Sequence, residues 1–334
     1  MTLEEILQSI KDGCTGDSEK DQIYLKQQME KYKDHEYKDE IVRECGRLLY
    51  DCLDDKQKNE FEKSIDQDRE QMQSAIKEVD YFLSKKEYEK AKDIIEPIIK
   101  GMKQETLFKS DSKNVYYSFN EPFEDILFQY LEKPEQEVQR APVPYSDAYY
   151  AYARVLMELN EIDQAKDVLK SAIQWNPTSS KIQLLYIETM KEDLDRYFEF
   201  TKFLFQYIFH GEDLAKAYCN LAWYFDQKDL KRIAYGCYGI SLNYKESQEA
   251  YDYMNNLDQK DWFQEPSMGE MVDFGEKYGF PIGPNQDVVG LAYGYGKQCF
   301  NDNMREPALY FLGIAYALSG QQDIADLLEQ LESK

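Results

Sequence analysis

Histidine and basic residues are scarce in this chain of 334 residues. There are two histidines, His35 and His210. Neither has a second ligand at metal-binding spacing, and His35-Glu36-Tyr37-Lys38-Asp39 lacks the second histidine of a zinc-protease helix. Both read as surface or helix-end residues. Lysine and arginine total 40 against 64 aspartates and glutamates, a net charge of −24. The acidic excess is spread along the whole chain and is not gathered in a tail. A nucleic-acid surface needs concentrated positive charge to neutralise phosphates, so that class of partner is excluded. The six cysteines (Cys14, Cys45, Cys52, Cys219, Cys237, Cys299) contain no CxxC pair. Cys45 and Cys52 lie two helical turns apart and read as small buried hydrophobes. No run approaches about 18 uncharged apolar residues, which excludes a membrane-spanning helix. The first ten residues hold two glutamates and no basic residue, unlike a secretory signal. The expectation is a cytoplasmic protein with no cofactor and no metal.

What the chain does have is apolar content and helical periodicity. Apolar residues make up 43% and aromatics 14% of it, enough to bury a real core. In 36–54, Ile41, Cys45, Leu48, Leu49 and Cys52 recur at spacings of three and four, the signature of one apolar helix face. The stretch 56–84 predicts a long charged helix with Phe61, Ile65, Met72, Ile76, Val79 and Leu83 as its buried stripe. A second stripe runs over 87–102 through Tyr88, Ala91, Ile94, Ile95 and Ile98, closed by Gly101. Short polar turns such as Ser84-Lys85-Lys86 join these segments as antiparallel pairs.

One pattern recurs. From Ser146 the chain reads Tyr149-x2-Tyr152-Ala153-x2-Leu156-x8-Ala165-x3-Leu169-x2-Ala172-x4-Pro177. Small residues stand where two helix backbones approach, large ones fill the gaps, and Pro177 stops the second helix. It returns as Tyr218-x2-Leu221-Ala222-x2-Phe225-x8-Ala234-x3-Tyr238-x2-Ser241, with Tyr149 and Tyr218 69 residues apart. That is close to two periods of roughly 34. A degenerate pair fills 180–209, and a third match is Leu309-x2-Leu312-Gly313-x2-Tyr316-x3-Gly320-x4-Ala325. Residues 72–103 match weakly through Val79, Phe82, Ala91 and Ile95. These stretches resemble the tetratricopeptide-repeat family.

The resemblance implies an all-α fold: an α-α superhelix, a solenoid of antiparallel helix pairs with an irregular aromatic-rich insertion. The organisation expected is an N-terminal helical region at 1–70, a degenerate pair at 71–103, the irregular segment at 104–145, repeats at 146–245, non-standard helices at 246–305 and a capping pair at 306–334. Within 246–305, helices are expected at about 246–257, 268–278 and 287–300, separated by prolines. The segment 104–145 carries four prolines yet also many aromatic and aliphatic residues, among them Phe108, Tyr116, Tyr117, Phe119, Phe123, Ile126, Leu127, Phe128, Tyr130 and Leu131. It predicts one short helix near 122–132 with extended chain around it, either functional or packing an exposed edge.

Sites for chemistry are missing. Gly290–Lys297 fails as a phosphate loop on spacing, and Gln298 stands at the magnesium-binding hydroxyl position; a first-helix reading explains its small residues. Calcium-loop candidates at Asn301-Asp302-Asn303 and at Asp193 and Asp195 lack the turning glycine, having Glu306 and Phe198 there. The nucleophile motif Gly-x-Ser-x-Gly is absent. The expectation is a protein that is not an enzyme.

By the resemblance, the first helices of the repeats line a concave groove that holds a peptide or helix of a partner protein. The groove-facing slots are Asp147, Tyr150, Arg154, Met157 and Glu158 in one repeat and Lys216, Cys219, Trp223, Asp226 and Gln227 in the next. Arg154, Lys216 and Trp223 are the anchors expected for a carboxylate and an apolar side chain. The competing readings are that Arg154 neutralises Asp147 or Glu158 and that Trp223 is core. Two other functions stay open: a peptide-sensing intracellular regulator with 1–70 as effector, and an enzyme with an unrecognised helical active site.

Overall fold

The computed structural model describes residues 1–102, 108, 110 and 114–333, so the expected extended run at 104–113 lies mostly outside the described residues. The chain divides into two compact units: Met1–Asn120 with Pro134–Glu161, and Glu121–Lys133 with Ile162–Lys334. Seventeen helices are found among the described residues.

The first unit opens with α1 (Leu3–Asp12), α2 (Ser18–Lys31) and α3 (Lys38–Asp51). Their apolar faces meet in a small core of Ile6, Ile10, Leu25, Ile41 and Cys45. The α1–α2 turn is tied by the buried Asp21 carboxylate, which accepts from the Thr15 and Gly16 N–H groups at 2.7 and 2.8 Å. Next come α4 (Asp55–Ser84) and α5 (Tyr88–Met102), packed on each other. An Asp54–Gln57 capping box starts α4, one residue from the expected boundary. Gly101 does not end α5, which continues through it.

The remaining first-unit elements interrupt the helical pattern. β1 (Asn114–Tyr117) pairs in parallel with a later strand; between the two in sequence comes α6 (Pro122–Glu132), the short helix expected there, which belongs to the second unit. The partner strand is β2 (Glu137–Arg140), with Val115 opposite Val138. The all-helical expectation is therefore corrected to a predominantly helical fold with a two-stranded sheet. Parallel strands need a long crossover, and α6 with its flanks provides it. Behind β2, α7 (Tyr145–Glu158) lies against both α4 and α5.

The second unit holds α6 together with α8 (Ile162–Trp175), α9 (Ser180–Glu188), α10 (Leu194–Leu204), α11 (Gly211–Gln227) and α12 (Lys231–Leu242). It continues with α13 (Gln248–Asp258), α14 (Met268–Tyr278), α15 (Gln286–Asn301), α16 (Arg305–Ser319) and α17 (Gln322–Glu332). One continuous core runs through it, from Phe123 of α6 past Tyr218, Leu221 and Phe225 of α11 to Leu312 of α16 and Leu331 of α17. Successive helices pack as neighbours, most closely α11 with α12 and α15 with α16. Among the described residues no helix is long and apolar enough to cross a membrane.

Four helix ends share one geometry. Lys86, Asn160, Asp229 and Asn303 all take left-handed backbone, with φ of 60°, 60°, 57° and 57°. The next N–H in each returns to a carbonyl five residues back: Glu87 to Phe82, Glu161 to Leu156, Leu230 to Phe225 and Met304 to Cys299, at 2.8–3.0 Å. This is the hydrogen-bond closure of a Schellman motif. Aligned on these turns, Gly296 falls in the small slot of Ala153 and Ala222, and Ala308 in that of Ala165 and Ala234. A Cβ on Gly296 would stand 2.7 Å from Leu312 Cγ and 2.9 Å from the Leu312 backbone nitrogen, so only glycine allows this approach. Hence α15 and α16 pack as a close hairpin, and α16 packs in turn on α17.

Candidate partner-binding faces

On α7 the large slots are buried: Tyr149, Tyr152, Ala153 and Leu156 are at most 5% exposed. Helical periodicity then turns Asp147, Tyr150, Arg154 and Met157 outward, and all four are half-buried. Each polar member is engaged locally. Asp147 accepts from Asn120 Nδ2 at 2.9 Å. The Arg154 guanidinium pairs with Asp80 of α4 and lies 5.7 Å from the centre of the Tyr150 ring. Glu158, at the end of the helix, accepts the Tyr88 hydroxyl, which raises the Tyr88 pKa. Arg154 is thus neutralised, as the competing reading held, but by Asp80 and not by Asp147 or Glu158.

On α11 the same logic buries Tyr218, Leu221, Ala222 and Phe225, each fully, and leaves Lys216, Cys219, Trp223, Asp226 and Gln227 on one outward side. Trp223 is half-buried and rests against Tyr197 of α10, with ring centres 4.8 Å apart at 58°. Lys191 Nζ lies 5.4 Å from the Trp223 ring centre, within cation–π range. Glu188, the last residue of α9, binds both neighbouring lysines: Lys191 at 2.5 Å and Lys216 at 3.2 Å. Burial pushes the Glu188 carboxyl up, but Lys216 and Lys191 outweigh it and hold it below the usual carboxylate range. Two lysines therefore share one carboxylate beside a propped indole.

The flanks of this face are polar. Asp226 accepts from Lys231 Nζ and from the Tyr253 hydroxyl, both at 2.6 Å. Burial, then the hydrogen bond to Asp226, raises the Tyr253 pKa. Burial also raises the Cys219 thiol, against a hydrogen bond with Ser241 and the charge of Lys216, so it is not poised as a nucleophile. Asn220 is 1% exposed and its Nδ2 has no partner among the described residues. A buried open donor is uncommon and costly.

The eight expected site residues therefore fall into two sets of four. Asp147, Tyr150, Arg154 and Met157 share one side of α7 in the first unit; Lys216, Cys219, Trp223 and Asp226 share one side of α11 in the second. Glu188, Lys191, Tyr197 and Tyr253 join the second set without having been expected, because each sits outside the two clear sequence repeats. Asn220 did carry a signal, as an amide amid the apolar slots of a helix. Among the described residues no group of three or more His, Cys, Asp or Glu could hold a metal. An open recess of about 440 Å³ in the first unit is lined by apolar groups such as Phe61, Ile65, Met72, Ile98 and Tyr145 together with Ser64, Asp68 and Gln71. No family model matches the chain, and no curated protein is similar to it.

Proposed function

We propose that the second unit is a protein-binding module that holds a segment of a partner protein along the outward face of α11. The observation that carries this reading is Trp223, half-exposed, propped by Tyr197 and flanked by two lysines that share the single carboxylate of Glu188. An aromatic held in place loses little freedom on binding, and such residues are the usual anchors of interfaces. The three charged side chains leave a positive balance on a chain of net charge −24. That favours a partner with an acidic group close to a large apolar side chain. The α7 face contributes less, since Arg154 already pairs with Asp80.

The finer fold reading, a tetratricopeptide-type superhelix, belongs to this proposal. Its support is the shared turn at Lys86, Asn160, Asp229 and Asn303 and the small residues held at like offsets. The test of function is capture from native lysate with wild type and Trp223→Ala, partners being identified by mass spectrometry. Partners lost by the variant, with its thermal midpoint kept, support the α11 face; an unchanged set removes it.

A second reading, the peptide-sensing regulator, rests on α1–α3, whose separate core of Ile6, Ile10, Leu25, Ile41 and Cys45 suits an effector module. Candidate peptides that raise the melting temperature would favour it, since a ligand of the folded state stabilises by mass action.

A further inference from the structure

Helix α6 is held in the second unit although the chain on both sides of it, up to Asn120 and from Pro134, belongs to the first. It is a self-contained helix. Pro122 opens it, Glu121 and Glu124 form a capping box, and left-handed Lys133 (φ 45°) closes it just before Pro134. Its apolar side is fully enclosed: Phe123, Leu127 and Phe128 are 0%, 1% and 4% exposed. Phe123 packs against Phe209 and Phe311, with ring centres at 5.2 and 6.1 Å.

Its polar side is gripped as firmly. The Glu121 carboxylate takes His210 Nε2 at 2.8 Å and the Tyr310 hydroxyl at 2.9 Å. Asn176 Nδ2 donates to Glu124 Oε2 at 2.8 Å, and the Thr178 hydroxyl donates to the Glu124 carbonyl at 2.9 Å. These groups come from the α8–α9 turn, the start of α11 and the face of α16. A helix laid into a groove by residues at i and i+4, with its ends and carboxylates individually recognised, is the arrangement used for bound partner helices.

We propose that the α6 seat in the second unit is a recognition site for the helix Glu121–Lys133 that a second copy of this chain also fills, giving a closed dimer by reciprocal exchange. The occupant from a second copy offers identical contacts, so only the connecting chain distinguishes the exchanged form from the closed monomer, and exchange of an identical element is a low-cost route to a dimer. The connections lie at Asn120–Glu121 and Lys133–Pro134, where the chain changes unit. Lys133 holds a left-handed backbone that disfavours a side-chain-bearing residue and relaxes if the connection extends. The proposal is independent of the α11 face.

The test uses the intact chain. Two batches carrying donor and acceptor dyes are mixed at high concentration, warmed below the thermal midpoint and cooled, then followed by energy transfer and by size-exclusion with light scattering. The expected result is a dimer showing energy transfer, whose yield falls severalfold with excess synthetic peptide 119–134 and is unaffected by that peptide carrying Phe123→Ala and Leu127→Ala. A chain that stays monomeric throughout overturns the proposal. So does a dimer whose yield the unmodified peptide leaves unchanged, because its contacts then lie elsewhere.

Discussion

Helices α7 and α11 are built on the same inner pattern and differ on their outer sides. Both bury a tyrosine, a second large residue, an alanine and a third large residue at matching offsets, and both end in a left-handed turn closed by the same hydrogen bond. Outside, α7 presents a cation already paired with Asp80, whereas α11 presents an indole propped by Tyr197 between two lysines that share Glu188. Close helix packing dictates the inner slots, since a wrong volume there forces the backbone to move. The outer slots carry no such demand and are free to differ. Function is therefore sought where like helices diverge.

The largest effects are expected where the two helices agree. Ala153 and Ala222 are both 0% exposed. Ala153→Leu and Ala222→Leu should each destabilise by about 1–3 kcal/mol, because an overpacked close contact pushes rotamers and backbone out of place. Denaturant or thermal melts would show this. If either variant melts within about a degree of wild type, its helix does not use that slot for close approach.

Much of this inner pattern was legible in the sequence. The stripe Phe61 to Leu83 gave α4 to within one residue, and α14 was read at its observed bounds. The helix at 122–132 followed from Pro122 and the apolar run behind it. The strands were not legible: Asn114–Tyr117 and Glu137–Arg140 are four residues each, and their pairing spans α6. The small residues of Gly290–Lys297 read as a first helix, and Leu309, Leu312 and Gly313 fit first-helix slots as well, so spacing alone did not choose between them. The turn at Asn303 and the close approach of Gly296 to Leu312 join α15 and α16. The outward face of α11 was half legible. Lys216 and Trp223 follow from helical offset, but Glu188, Lys191 and Tyr197 reach it from elements with no clear repeat.

A smaller effect comes from pH and separates the second unit from α7. The hydrogen bond to Glu121 raises the His210 pKa against its burial, with Asp213 and Glu124 adding to the rise. Burial pushes the Glu121 carboxyl up, but His210 and then Tyr310 and Lys181 outweigh it and hold it below its usual value. His210 therefore adds stability that is fully present below its unfolded pKa of about 6.5 and is lost as pH rises through the raised folded value. The Glu121 contribution is present above its unfolded pKa and lost as pH falls through the depressed one. The thermal midpoint should decline as pH is raised from about 6 to about 9, and His210→Ala should flatten that decline. A His210→Ala profile parallel to wild type would contradict the pairing.

The smallest effect belongs to α7. Asp80→Asn breaks a pair whose side chains are 36% and 51% exposed. Such pairs are worth about 0–1 kcal/mol, so the midpoint should scarcely change. A loss well above that would mean that Arg154 is a structural anchor and not an exposed cation at rest.

The most direct measurement is the affinity of a captured partner for wild type, Trp223→Ala and Arg154→Ala, by titration calorimetry at low and high salt. Loss of a central aromatic anchor should cost roughly 2 kcal/mol or more, whereas Arg154→Ala should cost a few tenths. The Lys216 and Lys191 contribution should shrink with salt, because partly exposed charges are screened. Equal affinity of wild type and Trp223→Ala, with Trp223→Ala folded as wild type, would contradict the assignment of binding to the α11 face.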